Sequence, residues 1–327
     1  MKFGVFVNQV FHEPGVSHHA DLAEQVRLMD ALGFDVAILG ERHQRAGGST
    51  ELVTVLPWLA AQTARLRIAS GGFILAIHHP YRLAQQTAYI DVVSGGRFDF
   101  GVVLGYFGGD FDPYGIPVGE RLSRFTEGLD VIRKLWTGAP VTHHGRHYRF
   151  DDAFIAPRPA QQPGPPVWIA AKVDAAIRRA AVLGDGWFPS ANDGFAELER
   201  KLSVYREALA AAKKPLREVI LLRDGFVADS TQAARAIAEQ PMLGLFREYL
   251  GWKKDSPDAD RYDASFEAAL PKLVLGSPQE AIDQIARYQA LGVTTLALRC
   301  QYPGLAHADT LRCLELIGTK VIPAFRR

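Results

Sequence analysis

Short apolar runs alternate with amphipathic stretches along nearly the whole chain. Residues 3–7, 36–39, 66–70, 97–103, 167–170, 186–188, 219–228 and 294–299 are mainly apolar and short. Such runs read as strands, several of them buried on both faces. Between them, residues 20–32, 52–63, 120–135, 174–183, 195–212, 231–238, 277–291 and 310–317 carry apolar residues at helical spacing. In the first of these, Leu22, Val26 and Met29 fall on one side. Gly33, Gly138 and Gly184 follow helices, where glycine readily takes the final turn. Ser277-Pro278-Gln279-Glu280 has the pattern of a capping box.

The clearest unit is residues 66–111. A strand ends at Ser70-Gly71-Gly72, and Pro80 opens a helix with Leu83, Ala84, Thr87, Ala88 and Ile90 on one face. Gly95-Gly96 stops that helix, and the next strand, 97–103, ends at a glycine-rich loop. Strand, helix and strand at this length make a βαβ unit with parallel strands. About eight such strands alternate with helices, and no G-x-G-x-x-G marks the first strand–helix turn. The pattern therefore predicts a (β/α)8 barrel of the α/β class rather than a doubly wound sheet.

Two stretches break the alternation. Residues 139–166 place Tyr148, Phe150 and Phe154 in a polar, proline-rich setting. Residues 241–271 scatter Phe246, Tyr249, Trp252, Tyr262 and Phe266 among charges. Both read as insertions in one domain, 1–327, of the kind that forms lids or binding loops. In a barrel, ligand groups belong at the C-terminal strand ends. Those ends are Asn8 and residues 41–43, 70–73, 105–110, 170–174, 187–190 and 299–302.

Composition narrows the function. At 48% hydrophobic and 22% charged, the 327 residues are those of an ordinary globular protein. The net charge is +1 and no Lys/Arg-rich run occurs, which argues against nucleic acid or an anionic membrane as the main partner. No stretch has the length and apolarity of a membrane span, and residues 1–8 read as a strand, so a cytoplasmic location is expected. Cys300 and Cys313 supply neither a disulfide framework nor a metal cluster and read as buried thiols. His78-His79 and His143-His144 are adjacent pairs. Neighbours in a strand face opposite ways, so no metal site is expected. No G-x-S-x-G elbow is present.

The helix before Ser94-Gly95-Gly96-Arg97-Phe98, the strand after it, and the Gly105 to Phe111 loop together resemble the bacterial luciferase-like flavin monooxygenases. The resemblance extends weakly over almost the whole chain. It implies a TIM barrel with insertions, and an enzyme in which reduced FMN from a separate flavin reductase, together with dioxygen, oxygenates a small organic substrate. It also implies a homodimer pairing through early helices, near residues 52–63 and 83–92. A deazaflavin-dependent hydride transferase and a non-catalytic flavin-binding protein are the alternatives.

The resemblance also places site residues. It puts a non-prolyl cis peptide at Gly71–Gly72 against the flavin ring, where glycine would leave a flat ring unobstructed. Val103 closes the fourth strand beside the flavin, and Asp110 matches the family's aspartate in the loop that follows. Leu104 stands where luciferases have an arginine for the flavin phosphate. Ala171, Lys172 and Val173 lead into a helix whose free N–H groups suit that phosphate. Glu41-Arg42-His43 replaces the family's usual Glu-His-His, so Arg42 occupies the place of the histidine with the base role. His43 matches the second histidine and is suited to proton transfer near neutrality. Arg42 is suited to steadying an anionic substrate.

Overall fold

The computed structural model describes residues 1–7, 19–43, 51–252 and 265–326. In chain order these form β1 (Lys2–Phe6), α1 (His19–Leu32), β2 (Val36–Leu39), α2 (Leu52–Ala61), β3 (Arg67–Ser70), β4 (Phe73–Ile74), α3 (Pro80–Val93) and β5 (Phe98–Val103). Then come α4 (Arg121–Trp136), β6 (Val141–His144), β7 (Arg149–Ala153), β8 (Val167–Ala170), α5 (Asp174–Leu183), β9 (Gly186–Phe188), α6 (Phe195–Ala211) and β10 (Glu218–Val227). The chain ends with α7 (Thr231–Trp252), α8 (Phe266–Ala269), β11 (Val274–Gly276), α9 (Pro278–Leu291), β12 (Thr295–Arg299) and α10 (His307–Leu316).

Eight parallel strands close on themselves in the order β1, β2, β3, β5, β8, β9, β10, β12 and back to β1. This is the expected (β/α)8 barrel. The two-residue period of the strands divides its apolar side chains into two cores. Phe6, Val36, Ile38, Ala69, Trp168, Phe188, Ile220, Leu222 and Ala297 fill the inside of the barrel. The alternate residues, among them Ala37, Leu39, Phe98, Phe100, Leu221 and Leu298, pack outward on the helices. The strands are therefore buried on both faces, which is why they read as continuous apolar runs.

Between β5 and β8, the stretch 139–166 contains an antiparallel hairpin, β6 with β7. Its register gives the two histidines separate partners. His143 Nε2 lies 3.0 Å from Glu127, and His144 Nε2 lies 2.5 Å from Asp151. Cys300 and Cys313 are both buried and free.

The expectation of a helix ending at 238 was too short, because α7 continues through Pro241 to Trp252. A proline lacks one helical N–H and reads as a stop. Here Met242, Leu243 and Leu245 are buried on the far side of it, and that packing carries the helix on. Tyr249 thus belongs to a helix rather than to a loop. Tyr262 lies outside the described residues, as does Asn8. No described helix is long and apolar enough to cross a membrane.

Candidate active site

The inward-facing row of each strand leads to the C-terminal mouth of the barrel. Val36 and Ile38 face inward, so Arg42 continues their row two positions beyond Gly40. Ile220 and Leu222 are followed in the same way by Asp224, and Ala297 by Arg299. The contacts agree. Arg299 donates two hydrogen bonds to Asp224, Nε to Oδ1 at 2.5 Å and Nη2 to Oδ2 at 3.0 Å, across the β10–β12 register. Arg42 Nη2 and Arg299 Nη1 both donate to the hydroxyl of Tyr249, at 3.1 and 3.0 Å. A charged layer thus caps the apolar barrel interior at the end where barrel enzymes bind their ligands.

Glu41 and His43 belong to the opposite row of β2, the one that packs away from the barrel axis. Glu41 is almost fully enclosed, at 1% side-chain exposure. It accepts the Ile74 N–H at 2.5 Å and meets His78 Nε2 at 2.8 Å and His43 Nε2 at 3.2 Å. Burial alone would raise its pKa. The contacts with His43, His78 and Ile74 outweigh burial and hold the carboxyl at about 2. In return, Glu41 raises the pKa of His43 above the ordinary histidine value, with burial opposing and Asp110 assisting. Tyr114 completes this group. Its hydroxyl lies 3.5 Å from His43 Nδ1, and its ring meets the imidazole edge-on.

The Gly71–Gly72 peptide is cis, as the resemblance implied. Packing within the barrel gives its own reason for glycine at both positions. A Cβ on Gly71 would fall 2.4 Å from Ile38 Cγ2, and one on Gly72 would fall 2.4 Å from Gly101 O. Both glycines are required by close packing inside the protein. Ser70 reinforces the approach, its Oγ donating to Gly101 O and accepting from Gly101 N–H, each at 2.8 Å. Val103 lies at the rim, packed against the small cluster of Ile74, Ala76, Ile77 and Phe111. Asp110 is buried in the 3-10 turn that follows.

The groups at the start of α5 fit a flavin phosphate. Val173 is the N-cap, and among the described residues no side chain caps the helix. Lys172 continues the inward row of Trp168 and Ala170, so a cation stands beside the helix's positive end. Leu104, in the place of the family's arginine, packs on the core instead. Ala171 is committed to the scaffold. Its N–H bonds Phe188 O at 3.2 Å and its carbonyl accepts the Trp187 indole at 3.0 Å. The Val173 side chain is exposed.

Sequence reasoning named Arg42 and His43 together, but the strand pleat sends them to different sides. Sequence reasoning missed the roles of Asp224, Tyr114 and His78. Asp224 was recoverable, because in an apolar strand its position matches the row of Ile220 and Leu222. The partners of Tyr114 and His78 come from long-range packing and leave no local signal.

A family model described as luciferase-like monooxygenase matches residues 1–295. The flavin-dependent trigonelline monooxygenase, oxygenase component, of Acinetobacter baylyi is 29% identical, the match covering 99% of this chain and 96% of that protein. The F420-dependent glucose-6-phosphate dehydrogenase of Nakamurella multipartita is also 29% identical, over 95% of this chain and 93% of that protein. Among solved structures, the monooxygenase RslO1 of Streptomyces bottropensis superposes with a TM-score of 0.90 at 26% identity, covering 99% of this chain and all of that one. Barrel, cis bulge and matched sequence agree, and the chain belongs to the luciferase-like monooxygenase family.

Proposed function

We propose that this protein is the oxygenase component of a two-component flavin monooxygenase. Reduced FMN, delivered by a separate flavin reductase, and dioxygen would oxygenate a small organic substrate at the barrel mouth. The observation that carries this reading is the convergence of the Gly71–Gly72 bulge, the uncapped start of α5 with Lys172, and the charged layer around Arg42 at one end of the barrel. The trigonelline monooxygenase, itself named an oxygenase component, supports it. The equally similar F420-dependent dehydrogenase supports a second reading, hydride transfer with a deazaflavin. The cofactor, when bound, supplies the redox chemistry. The protein supplies binding, orientation and charge.

Anaerobic titration with FMN, reduced FMN and F420 separates the two. The expected result is tightest binding of reduced FMN, with substrate oxygenation when a flavin reductase is added in air. Tight F420 binding with none of reduced FMN would move the protein to the second reading.

Within this proposal, Lys172 meets the FMN phosphate. Lys172→Ala should weaken FMN roughly tenfold, the scale of one charge-assisted hydrogen bond, and leave riboflavin binding unchanged. Equal affinity of parent and variant for FMN would remove the lysine from the site.

His43 and Arg42 are proposed as catalytic residues acting from opposite sides of the β2 end, His43 moving a proton and Arg42 steadying negative charge. His43→Asn should lower turnover about 100-fold, as loss of acid–base assistance does, with near-normal FMN affinity. Turnover unchanged across pH 6–9 would reduce His43 to a structural role.

A homodimer is proposed through α2 and α3. A surface groove there is lined by Val53, Pro57, Tyr89, Ile90 and Val93, and Tyr89 and Val93 are 50% and 58% exposed. Exposed apolar side chains of this size in one patch fit an interface. Sedimentation at micromolar concentration should give a dimer that Tyr89→Lys dissociates. A monomeric parent protein would count against it.

A further inference from the structure

The charged layer at the mouth contains a tyrosine in an unusual setting. Tyr249 reaches over the barrel from the C-terminal part of α7 and places its hydroxyl between two guanidiniums that rise from the ends of β2 and β12. A guanidinium has donors only. The phenol oxygen must therefore accept from both, and its own hydrogen is directed away from both. The guanidinium carbons also lie 5.7 and 5.4 Å from the ring centroid, so the two cations flank ring and oxygen together. Arg299 is held in this position by the bidentate contact with Asp224. The Tyr302 hydroxyl donates to the carbonyl of Arg299, which fixes the strand end behind it.

Loss of the phenol proton would thus leave a phenolate already held by two charge-assisted donors. Among the described residues, the charged groups facing Tyr249 are Arg42 from β2, Arg299 from β12 and Asp224 from β10. Burial would raise the phenol's pKa and Asp224 adds to that. Arg299 and Arg42 outweigh both and hold it below the ordinary tyrosine range.

We propose that Tyr249 is the acid of this site, protonating the oxygen of a small ketone or aldehyde bound in the mouth. The proposal rests on reading the mouth as the reaction site. A bound reduced cofactor would supply the electron pair, as hydride in one reading or with dioxygen in the other, so that a C–H or C–O bond forms at the carbonyl carbon while the carbonyl π bond opens and charge moves to oxygen. The phenol O–H breaks as the substrate O–H forms. Arg42 and Arg299 hold the resulting phenolate until water returns the proton. The device serves oxygenation and hydride transfer equally, because both put charge on the same oxygen.

The first test uses the protein without cofactor. Ultraviolet titration of tyrosinate should show one of the ten tyrosines ionising ahead of the rest. That step should be absent in Tyr249→Phe and move up by a pH unit or more in Arg42→Gln. No early step, or one that survives Tyr249→Phe, overturns the proposal. The second test measures turnover of cyclohexanone, 2-butanone, benzaldehyde and hexanal with reduced FMN in air and with reduced F420. Tyr249→Phe should lower kcat at least 100-fold while cofactor affinity stays normal. Full turnover in Tyr249→Phe with normal cofactor binding overturns the acid alone. Failure of the parent protein to turn over any of the four overturns the substrate class. A parent protein that binds neither cofactor overturns the reading of the mouth itself, and the acid role with it.

Discussion

Gly101→Ala should destabilise the protein by about 4 kcal/mol or more, the range reserved for severe backbone or packing conflicts. Gly101 lies in β5, where the strand passes beneath the end of β3. An added Cβ would fall 1.8 Å from the carbonyl oxygen of Ser70 and 2.9 Å from its carbonyl carbon. These are backbone atoms inside a closed sheet, so no flexible side chain can turn aside. The strands would have to separate. Separation would break the double hydrogen bond of Ser70 Oγ with Gly101 and the pairing of Phe73 with Val102 one step along. Because β3 and β5 are neighbours in a closed ring, the damage cannot be confined to an edge. Gly119→Ala is the control, since a Cβ there meets nothing within 4 Å. It should change stability by no more than about 1 kcal/mol. Urea denaturation of the purified proteins reads both effects. Matching midpoints for Gly101→Ala and the parent protein would show that the approach of the two strands relaxes without cost.

The barrel was legible because its signals are local and repeated. Each strand is a short apolar run, and several helices have a glycine, proline or cap at an end, as Pro80, Gly95 and Ser277 show. The bulge at Gly71–Gly72 was legible only through resemblance, since two glycines after a strand fit any turn. The purpose of those glycines was not legible, because it depends on Ile38 in β2 and Gly101 in β5, each a whole strand–helix unit away in the chain. The candidate site was half visible for the same reason. Arg42 and Lys172 stand at strand ends, where the barrel rule places ligand groups. Tyr249 was noticed only as one aromatic among charges. Its importance comes from α7 running past Pro241, which buried Met242, Leu243 and Leu245 permit and a proline conceals. Glu41 presents as a polar loop residue, although it is the most enclosed acid of its group. Its partners His78 and Ile74 lie beyond α2 and β3.

That enclosure makes Glu41 the second large stability determinant, and one with a pH signature. The folded carboxyl has a pKa of about 2, below its ordinary value of 4.5. The unfolded chain therefore binds more protons between those values, and the stability contributed by Glu41 is fully present above about pH 4.5 and lost as pH falls toward 2. A shift of this size corresponds to about 3 kcal/mol. His43 has the opposite sign. Its folded pKa is raised above 6.5, so its contribution is complete below that value and is lost as pH rises through the folded pKa. Together they stabilise the fold most between about pH 4.5 and 6.5. Glu41→Gln keeps the shape of the side chain but leaves His43 and His78 without their carboxylate. Breaking one side of a buried ion pair typically costs about 3–5 kcal/mol. The loss should be largest near pH 5.5. It should be smaller at pH 8.5, since rising pH works toward removal of the His43 proton that Glu41 helps hold, and at pH 2.5, where Glu41 itself is becoming neutral. Urea unfolding of parent and variant at those three pH values tests the signs as well as the size. A deficit of constant size at all three would mean that Glu41 acts through packing and its bond to Ile74, and that its charge contributes nothing to the fold.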